Sequence, residues 1–226
     1  MTRFLRHSFV LLATIAALPA ADLQAVYDRI DTGAAGFKGL TADIRKVAHL
    51  DLINEEDVET GKIAVKRPKP HDILVRIDFQ DSQKQYGFAG KRGEIYYPKT
   101  NTVEEYDLGK YKGMVEQFML LGFGTSSQEL RNAYSIRLIG SEKVAGQAAW
   151  HIELIPRSKD MADTFPKIEL WISETTGLAV QQKLYDKGGR DYQLATYSNM
   201  QLRPNLPDAE VKLNVPKDAH RTNPLK

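Results

Sequence analysis

Alternating apolar and polar residues recur along most of this chain and predict a fold rich in β-strands. The clearest run covers residues 73–79, where every second side chain is apolar. Its apolar positions are Ile73, Val75, Ile77 and Phe79. Period-two alternation over this length is typical of a strand with one buried face.

Similar runs along the chain predict about ten or eleven strands in all. They include residues 44–53, 61–67, 134–138, 150–154, 168–172, 178–185 and 192–202, a short run through Ile95 and Tyr97, and a last strand through Val211, Leu213 and Val215. Turn residues such as Gly90, Gly93, Gly146, Gly177 and Gly188 separate many of these runs. Short glycine-containing turns between strands are typical of antiparallel hairpins, so we expect an antiparallel sheet.

Two segments follow a helical period instead. Apolar residues at helical spacing from Leu23 to Ile30 predict an amphipathic helix that ends at Gly33. A second helix is predicted from Tyr111, and its apolar residues cover more than one face. These residues are Met114, Val115, Phe118, Met119, Leu120 and Leu121. A helix of this kind is either deeply buried or covers another apolar surface.

A third, short helix is predicted from Ser126, because Ser126 and Glu129 form a capping-box pattern. Together these elements predict a mainly β fold with helices, of the α+β class. We expect one unclosed antiparallel half-barrel that is covered by a lid of about three helices.

Several apolar residues fall on the face of the sheet that should be exposed. They are Leu74, Ile139, Ile155 and Trp171. Either both faces of the sheet are partly covered, or the curled sheet encloses a cavity. Taken with Met114, Phe118 and Met119, they favour a pocket, since methionine adapts to ligands of variable shape.

Residues 1–21 have the pattern of a secretory signal peptide. Arg3 and Arg6 precede a short apolar run, and small residues follow before Asp22. The apolar run is too short for a membrane-spanning helix, which needs about 20 residues. We expect cleavage near Ala20 or Ala21, and a periplasmic, soluble protein with a single domain over residues 22–226.

The charge balance and the lack of cysteine argue against several classes of function. The chain has 31 basic and 29 acidic residues, and loss of Arg3 and Arg6 would leave equal numbers. Without a net positive charge, a nucleic-acid partner is not expected. The chain has no cysteine, so it has neither a disulfide framework nor a thiol for lipid attachment.

The sequence has no clear catalytic motif. His151 and Glu153 share one face of a predicted strand and offer two metal ligands, but no third ligand is evident. The acidic residues 55–57 fit a solvated turn better than a calcium loop. We therefore expect a protein that is not an enzyme and has neither a metal nor another cofactor.

The order of motifs resembles the outer-membrane lipoprotein carrier family, LolA, and its relatives. Residues 64–68 (Ala-Val-Lys-Arg-Pro) resemble a family strand that ends in basic-Arg-Pro, and residues 88–98 resemble its Gly-turn and aromatic-Tyr-x-Pro strand, although Pro98 here follows Tyr97 directly. Residues 111–134 stand where the family has its lid, and residues 211–216 resemble its closing segment. The resemblance covers nearly all of residues 22–226.

This resemblance implies an apolar inner surface that shelters the acyl chains of a lipoprotein between two membranes. It also implies an inner-membrane donor complex and an outer-membrane acceptor, and we expect a monomer. The candidate cargo-binding residues are Ile73, Val75, Ile77, Phe79, Ile95, Tyr97, Met114, Val115, Phe118, Met119, Leu121 and Trp171.

Arg67 matches, by position, the family arginine that hydrogen-bonds the lid and holds the empty carrier shut. A guanidinium group has five donors, and carbonyl groups at helix ends are suitable acceptors. The alternative for Arg67 is a solvent-facing side chain at a strand end before Pro68.

Two further alternatives concern function. One is a periplasmic carrier of another lipid, such as a glycolipid or a polyene. The other is a module of the same fold that senses lipid or envelope stress, which would normally carry an additional domain.

Overall fold

Twelve strands form one sheet in the part of the chain that the computed structural model describes, which is residues 22–69, 72–109 and 121–224. The strands are β1 (Gly39–Leu50), β2 (Glu55–Lys69), β3 (Asp72–Phe79), β4 (Gln85–Ala89), β5 (Arg92–Tyr97), β6 (Thr102–Asp107), β7 (Tyr134–Val144), β8 (Gln147–Pro156), β9 (Lys167–Ser173), β10 (Ala179–Tyr185), β11 (Tyr192–Leu202) and β12 (His220–Thr222). The helices in these ranges are α1 (Leu23–Gly36), α2 (Ser127–Ala133), α3 (Lys159–Thr164) and α4 (Asp208–Val211), and Pro98–Thr100 forms a 3-10 turn.

The sheet consists of two antiparallel meanders that meet at its centre. Its order is β12-β6-β5-β4-β3-β2-β1-β11-β10-β9-β8-β7. Strand β1 pairs with β2 on one side and with β11 on the other, and only β12 pairs parallel to its neighbour, β6. The two outer strands, β12 and β7, are not neighbours, so the sheet is unclosed. The predicted fold class is confirmed, with slightly more strands than expected.

Helices α1 and α2 cover one face of the sheet, which we call the inner face. Val26 and Ile30 of α1 and Leu130 of α2 pack with apolar residues of β8, β9 and β10. The sheet residues in this cluster are Ile152, Leu154, Ile168, Leu170, Ile172, Ala179 and Leu184. The helices therefore fill the inner face over the C-terminal meander.

A carboxylate fixes the two helices to each other. Asp31 of α1 accepts hydrogen bonds from the backbone N–H and the hydroxyl of Ser127, both at 2.7 Å. The predicted capping box between Ser126 and Glu129 is present at the start of α2. Helix α1 continues past the predicted end at Gly33 and stops at Gly36, where Phe37 turns its chain into an extended conformation.

Residues 203–219 cross the other, outer face of the sheet, and we call them the strap. The prediction of a strand through Val211, Leu213 and Val215 is wrong, because the strap forms α4 at Asp208–Val211 and then runs on without strand pairing up to β12. The apolar side chains that suggested a strand instead cover the sheet. Val211 packs on Leu74, and Leu213 and Val215 pack on Tyr96 and Val103.

The four apolar residues predicted on the outer face have two different environments. Leu74 is buried under the strap, and Trp171 is buried among Val144, Ala149 and Val180. Ile139 and Ile155 stay 42% and 40% exposed. The expectation that both faces are partly covered is confirmed for Leu74 and Trp171.

We predict that Gly177→Ala strongly destabilises the fold, because Gly177 closely approaches the backbone of α1. Gly177 has a φ of +72°, and an added Cβ would lie 2.0 Å from the carbonyl oxygen of Arg29. The strained backbone and the displaced helix should together cost about 2–4 kcal/mol of unfolding free energy, measured by urea denaturation.

Gly146→Ala is the matched control for this variant. Gly146 has a similar φ of +80°, but no atom lies within 4 Å of an added Cβ. Gly146→Ala should lower the unfolding free energy by about 1 kcal/mol, from backbone strain alone. Equal losses in the two variants would show that the contact with α1 does not matter for stability.

Candidate functional site

Two adjoining cavities lie on the inner face over the N-terminal meander, and we call them together the inner trough. Their volumes are about 180 Å³ and 190 Å³, and both are lined by Val75, Ile77 and Tyr86. The first cavity continues toward β1, β10 and β11, and the second continues toward β5 and β6. The inner trough begins where the covering of α1 and α2 ends.

Its walls are mainly apolar. The first cavity is also lined by Ile44, Ile63, Val65, Phe79, Phe123, Leu184, Leu194, Ala195 and Tyr197, and the second by Phe88, Ile95, Tyr106 and Leu108. Lys46, Gln182 and Gln193 contribute polar groups to the first cavity. A concave apolar site with a few polar groups is the usual form of a small-molecule pocket.

The structure brings part of the predicted cargo-binding set to this trough. Val75, Ile77 and Phe79 line the first cavity, and Ile95 lines the second. Ile73 lies on the same face but is fully buried in the core beside it. Met114, Val115, Phe118 and Met119 lie outside the described residues.

Three predicted residues have other environments. Leu121 is fully buried between the helices and the sheet, and Tyr97 donates its hydroxyl hydrogen bond to Glu104 at 3.1 Å. Trp171 lies on the outer face, where its indole N–H donates to Glu142 and its ring stacks on His151. Trp171 was predicted on the outer face and lies there, because the side chains of its neighbours Leu170 and Ile172 point to the inner face. Its inclusion among the cargo-binding residues is therefore wrong for the inner trough.

Sequence reasoning missed several wall residues, among them Lys46, Tyr86, Phe123 and Tyr197. Tyr86 stands in a short strand whose alternation is interrupted by Gly87. Tyr197 stands in β11, where polar and apolar residues are mixed on the inner face because Gln193 also points there. Only the pairing register of the strands shows that the side chains of Tyr86 and Tyr197 lie on the same surface.

Residues 121–124 bind to the sheet through their carbonyl groups, and we call them the anchor segment. Arg67 of β2 donates from Nη1 to the Gly124 carbonyl at 2.8 Å. On β10, the Ala179 N–H donates to the Gly122 carbonyl at 2.8 Å, and the Gln182 amide donates to the Leu121 carbonyl. The anchor segment is therefore bound to both meanders of the sheet.

The anchor segment also packs tightly. Gly122 has a φ of +85°, and an added Cβ would lie 2.4 Å from the Cβ of Ala179, so only glycine fits there. The ring of Phe123 meets Tyr197 edge-on at 4.9 Å between centroids. Complete burial raises the pKa of Tyr197, whose hydroxyl donates to Gln182 at 3.3 Å.

Arg67 reaches the anchor segment because its strand is held in place at this end. Its backbone N–H donates to the Lys38 carbonyl at 2.8 Å, and Pro68 follows. An added Cβ at Gly124 would lie 3.1 Å from both Arg67 Nη1 and Phe37, so the guanidinium approaches the backbone closely. Arg67 therefore contacts the anchor segment and does not simply face solvent. The action of Arg67 as a latch stays a prediction.

Three charged groups stand on the inner face near the trough, an ion pair and a separate carboxylate. Lys46 pairs with the buried Glu59 at 3.4 Å, beside the ring of Phe79. Glu104 on β6 accepts hydrogen bonds from Tyr97 at 3.1 Å and Tyr106 at 2.7 Å. The bond to Glu104, together with burial, raises the pKa of Tyr106 to about 12.

The histidine that offered a metal ligand lies on the outer face. His151 stands 3.5 Å from Glu142 and 3.4 Å from Glu169, whereas Glu153 pairs with Arg137 at 3.1 Å. Within residues 22–69, 72–109 and 121–224, no group of three acidic or histidine side chains is arranged to hold a metal ion. None of the helices described in those ranges has the length and apolar character to span a bilayer.

Comparison with known proteins gives one family match and a shared fold. A family model described as "Uncharacterized protein" matches residues 95–211, slightly more than half of the chain. No curated protein matches the sequence.

Among solved structures, an uncharacterized conserved protein from Thermus thermophilus has a TM-score of 0.53 and 16% identity over 89% of this chain and 98% of its own. MucB has a TM-score of 0.53 and 15% identity over 87% of this chain, but the match spans only 64% of the MucB chain. The Mycobacterium tuberculosis lipoprotein LppX has a TM-score of 0.50 and 12% identity over 87% of this chain and 100% of its own. At these identities the matches show a common fold, and membership of the LolA family stays a prediction.

We predict that Arg67→Leu loosens the anchor segment while the sheet stays folded. A hydrogen bond from a charged group contributes about 1.5–3 kcal/mol when buried, and the half-buried position of Arg67 reduces this. Amides in residues 121–125 should then exchange with deuterium about tenfold faster.

Arg76→Leu is the matched control, because Arg76 on the neighbouring strand donates to the Lys212 carbonyl on the outer face at 3.2 Å. It should leave exchange in residues 121–125 unchanged. If Arg67→Leu gave the same exchange as the parent protein, the bond to Gly124 would not hold the anchor segment.

Proposed function

We propose that this chain, a member of the family of uncharacterized proteins whose model matches residues 95–211, is a periplasmic carrier that shelters the acyl chains of lipoproteins in its inner trough. Residues 1–21 would direct export and be removed near Ala20 or Ala21, and residues 22–226 would act as a single carrier domain. It would receive its cargo at the inner membrane and deliver it toward the outer membrane, without catalysing a reaction.

The observation that supports this proposal is the apolar inner trough, which the described residues line but do not fill. Its walls come from eight strands that are neighbours across the centre of the sheet, β1 to β6, β10 and β11. A sheet that needed only a stable core would fill this space with side chains, since empty apolar volume is destabilising. A ligand with flexible apolar chains would restore the missing contacts.

The anchor segment supports the same proposal. Burial of an acyl chain contributes about 0.8 kcal/mol per methylene group, so long chains would bind too tightly to be released without an opposing cost. The hydrogen bonds of Arg67, Ala179 and Gln182 to residues 121–124 provide a small, reversible cost. Arg67 would thus favour the closed, empty state and yield when cargo enters.

The volume of the trough favours a second candidate, a carrier of a smaller free lipid. The two cavities formed by the described residues, about 180 Å³ and 190 Å³, lie together near the lower end of the ~300–1,000 Å³ range of ligand pockets. This space suits one or two chains better than a lipoprotein with three. Both candidate functions require an acyl chain to bind on the inner face.

Native mass spectrometry of the protein isolated from a periplasmic extract distinguishes these candidates. A co-purified acylated protein supports lipoprotein transport, and a free lipid of lower mass supports the second candidate. If the isolated protein carries no lipid and binds neither a triacylated lipopeptide nor a phospholipid added in vitro, both candidates are wrong.

We predict that Ile77→Glu abolishes lipid binding and leaves the sheet folded. Ile77 lines both cavities and is only half-buried, so a charge there would meet acyl chains without entering the closed core. Binding of a triacylated lipopeptide should fall by at least tenfold in isothermal titration calorimetry. Circular dichroism should stay unchanged.

Ile155→Glu is the control, since Ile155 is a 40% exposed isoleucine on the outer face. It should bind lipid like the parent protein. Normal lipid binding by a folded Ile77→Glu variant would exclude the inner trough as the binding surface.

A further inference from the structure

Glu104 is an unusual carboxylate in this sheet, because it stands on the inner face beside the trough and no basic side chain among the described residues pairs with it. Tyr97 and Tyr106 donate hydrogen bonds to its Oε2 atom, at 3.1 Å and 2.7 Å. Across the described residues, no lysine, arginine or histidine forms an ion pair with it and no hydrogen bond reaches its Oε1 atom. One oxygen of a half-buried anion is thus left for another donor.

The other glutamates that are at least partly buried on strands all pair with a basic side chain. They are Glu59 with Lys46, Glu94 with Arg92, Glu105 with Arg221, Glu153 with Arg137, and Glu169 with Lys167. Pairing is expected, because burial of a charge is costly without a partner. Glu104 departs from this pattern at the edge of a cavity, where a ligand can supply the partner.

The surroundings of Glu104 suit a cation attached to an apolar chain. Tyr106 lines the second cavity and bonds Glu104 directly, so the carboxylate lies next to an apolar wall. Ile95 of that wall is the direct cross-strand neighbour of both Glu104 and Tyr86. Tyrosine rings attract cations through their faces, and the rings of Tyr86, Tyr97 and Tyr106 stand around this position.

The charges in the rest of the trough do not favour an anionic head group. Of the charged residues in the walls of the two cavities, Lys46 pairs with Glu59 at 3.4 Å, and Glu94 pairs with Arg92 at 3.9 Å. With these pairs balanced, Glu104 leaves a negative charge among the described residues of the inner face. A carboxylate or phosphate monoester at the same place would be repelled.

We propose that Glu104, Tyr97 and Tyr106 form a head-group site for an amphiphile that carries a protonated amine, with its acyl chain along Ile95 and Ile77 in the inner trough. This inference rests on the proposed carrier function and adds the chemical class of the ligand's polar end. The amine donates to the free Oε1 atom of Glu104 while the tyrosine hydroxyls keep Oε2 in place. The head-group site selects ligands by the charge of their polar end, whereas the trough binds the acyl chain whatever that charge is.

Ligands with the same chain and different polar ends test this proposal. Binding of dodecylamine, dodecanoate and dodecyl maltoside to the full chain is measured by isothermal titration calorimetry below their micelle concentrations. We expect dodecylamine to bind at least tenfold more tightly than dodecanoate. Glu104→Gln should weaken the binding of dodecylamine about tenfold and leave the binding of dodecyl maltoside unchanged, because the amide side chain keeps the shape of the carboxylate and removes its charge.

Glu105→Gln is the matched control, on the same strand but facing the outer side, where Glu105 pairs with Arg221. It should leave dodecylamine binding unchanged. A second readout is the ultraviolet titration of the tyrosines, in which Glu104→Gln should lower the pKa of Tyr106 from about 12 toward 10.

The outcomes separate this inference from the proposed function. If all three ligands bind the parent protein equally, or if Glu104→Gln binds dodecylamine as the parent does, the head-group site is wrong and the carrier proposal stands. If dodecyl maltoside alone depends on Glu104, the site recognises a sugar and the amine proposal is wrong. If none of the ligands binds the parent protein, the carrier proposal is wrong, and the head-group proposal that rests on it is wrong as well.

Discussion

The arrangement of this protein depends on the hydrogen bonds that bind the carbonyl groups of residues 121–124 to the sheet. Donors from β2 and β10 reach three carbonyls of the anchor segment, and those strands lie on opposite sides of the central β1–β11 pair. Backbone carbonyl groups need hydrogen-bond partners when they are buried. These bonds satisfy three carbonyl groups of the anchor segment and hold it against both meanders.

The inner face consequently has two regions with different roles. Over the C-terminal meander, α1 and α2 exclude solvent, and Asp31 holds the two helices in one arrangement. Over the N-terminal meander, the described residues of the same face line a trough with apolar walls and few charges. The strap stabilises this meander from the outer side by covering Leu74, Tyr96 and Val103.

The sequence predicted most of the strands and the helices that begin near Leu23 and Ser126, because period-two and helical spacing report directly on which side chains are buried. It did not predict α3 or α4, and the helix predicted from Tyr111 lies outside the described residues. It placed Val75, Ile77 and Ile95 on the inner surface, since each lies in a clear alternating run. It failed for Trp171, whose apolar character was taken as evidence for a cavity although its register places it on the outer face. It also failed for Val211, Leu213 and Val215, because a strap that covers a sheet shows the same spacing as a strand. The cluster around Glu104 was not predictable, since Glu104 and Tyr86 meet only through the pairing of β4, β5 and β6.

The central pair of strands has a consequence for how the chain reaches its native state. Strands β1 to β6 follow one another in sequence, so they can form as successive hairpins soon after synthesis. Strand β1, however, also needs β11, with Leu40 opposite Leu202 and His49 opposite Tyr192. This contact joins residues that are far apart in sequence, and loop closure of that length slows folding. Until β11 arrives, one edge of β1 and the apolar residues beside it remain open to other chains, so the slow, late step is also the one most exposed to aggregation.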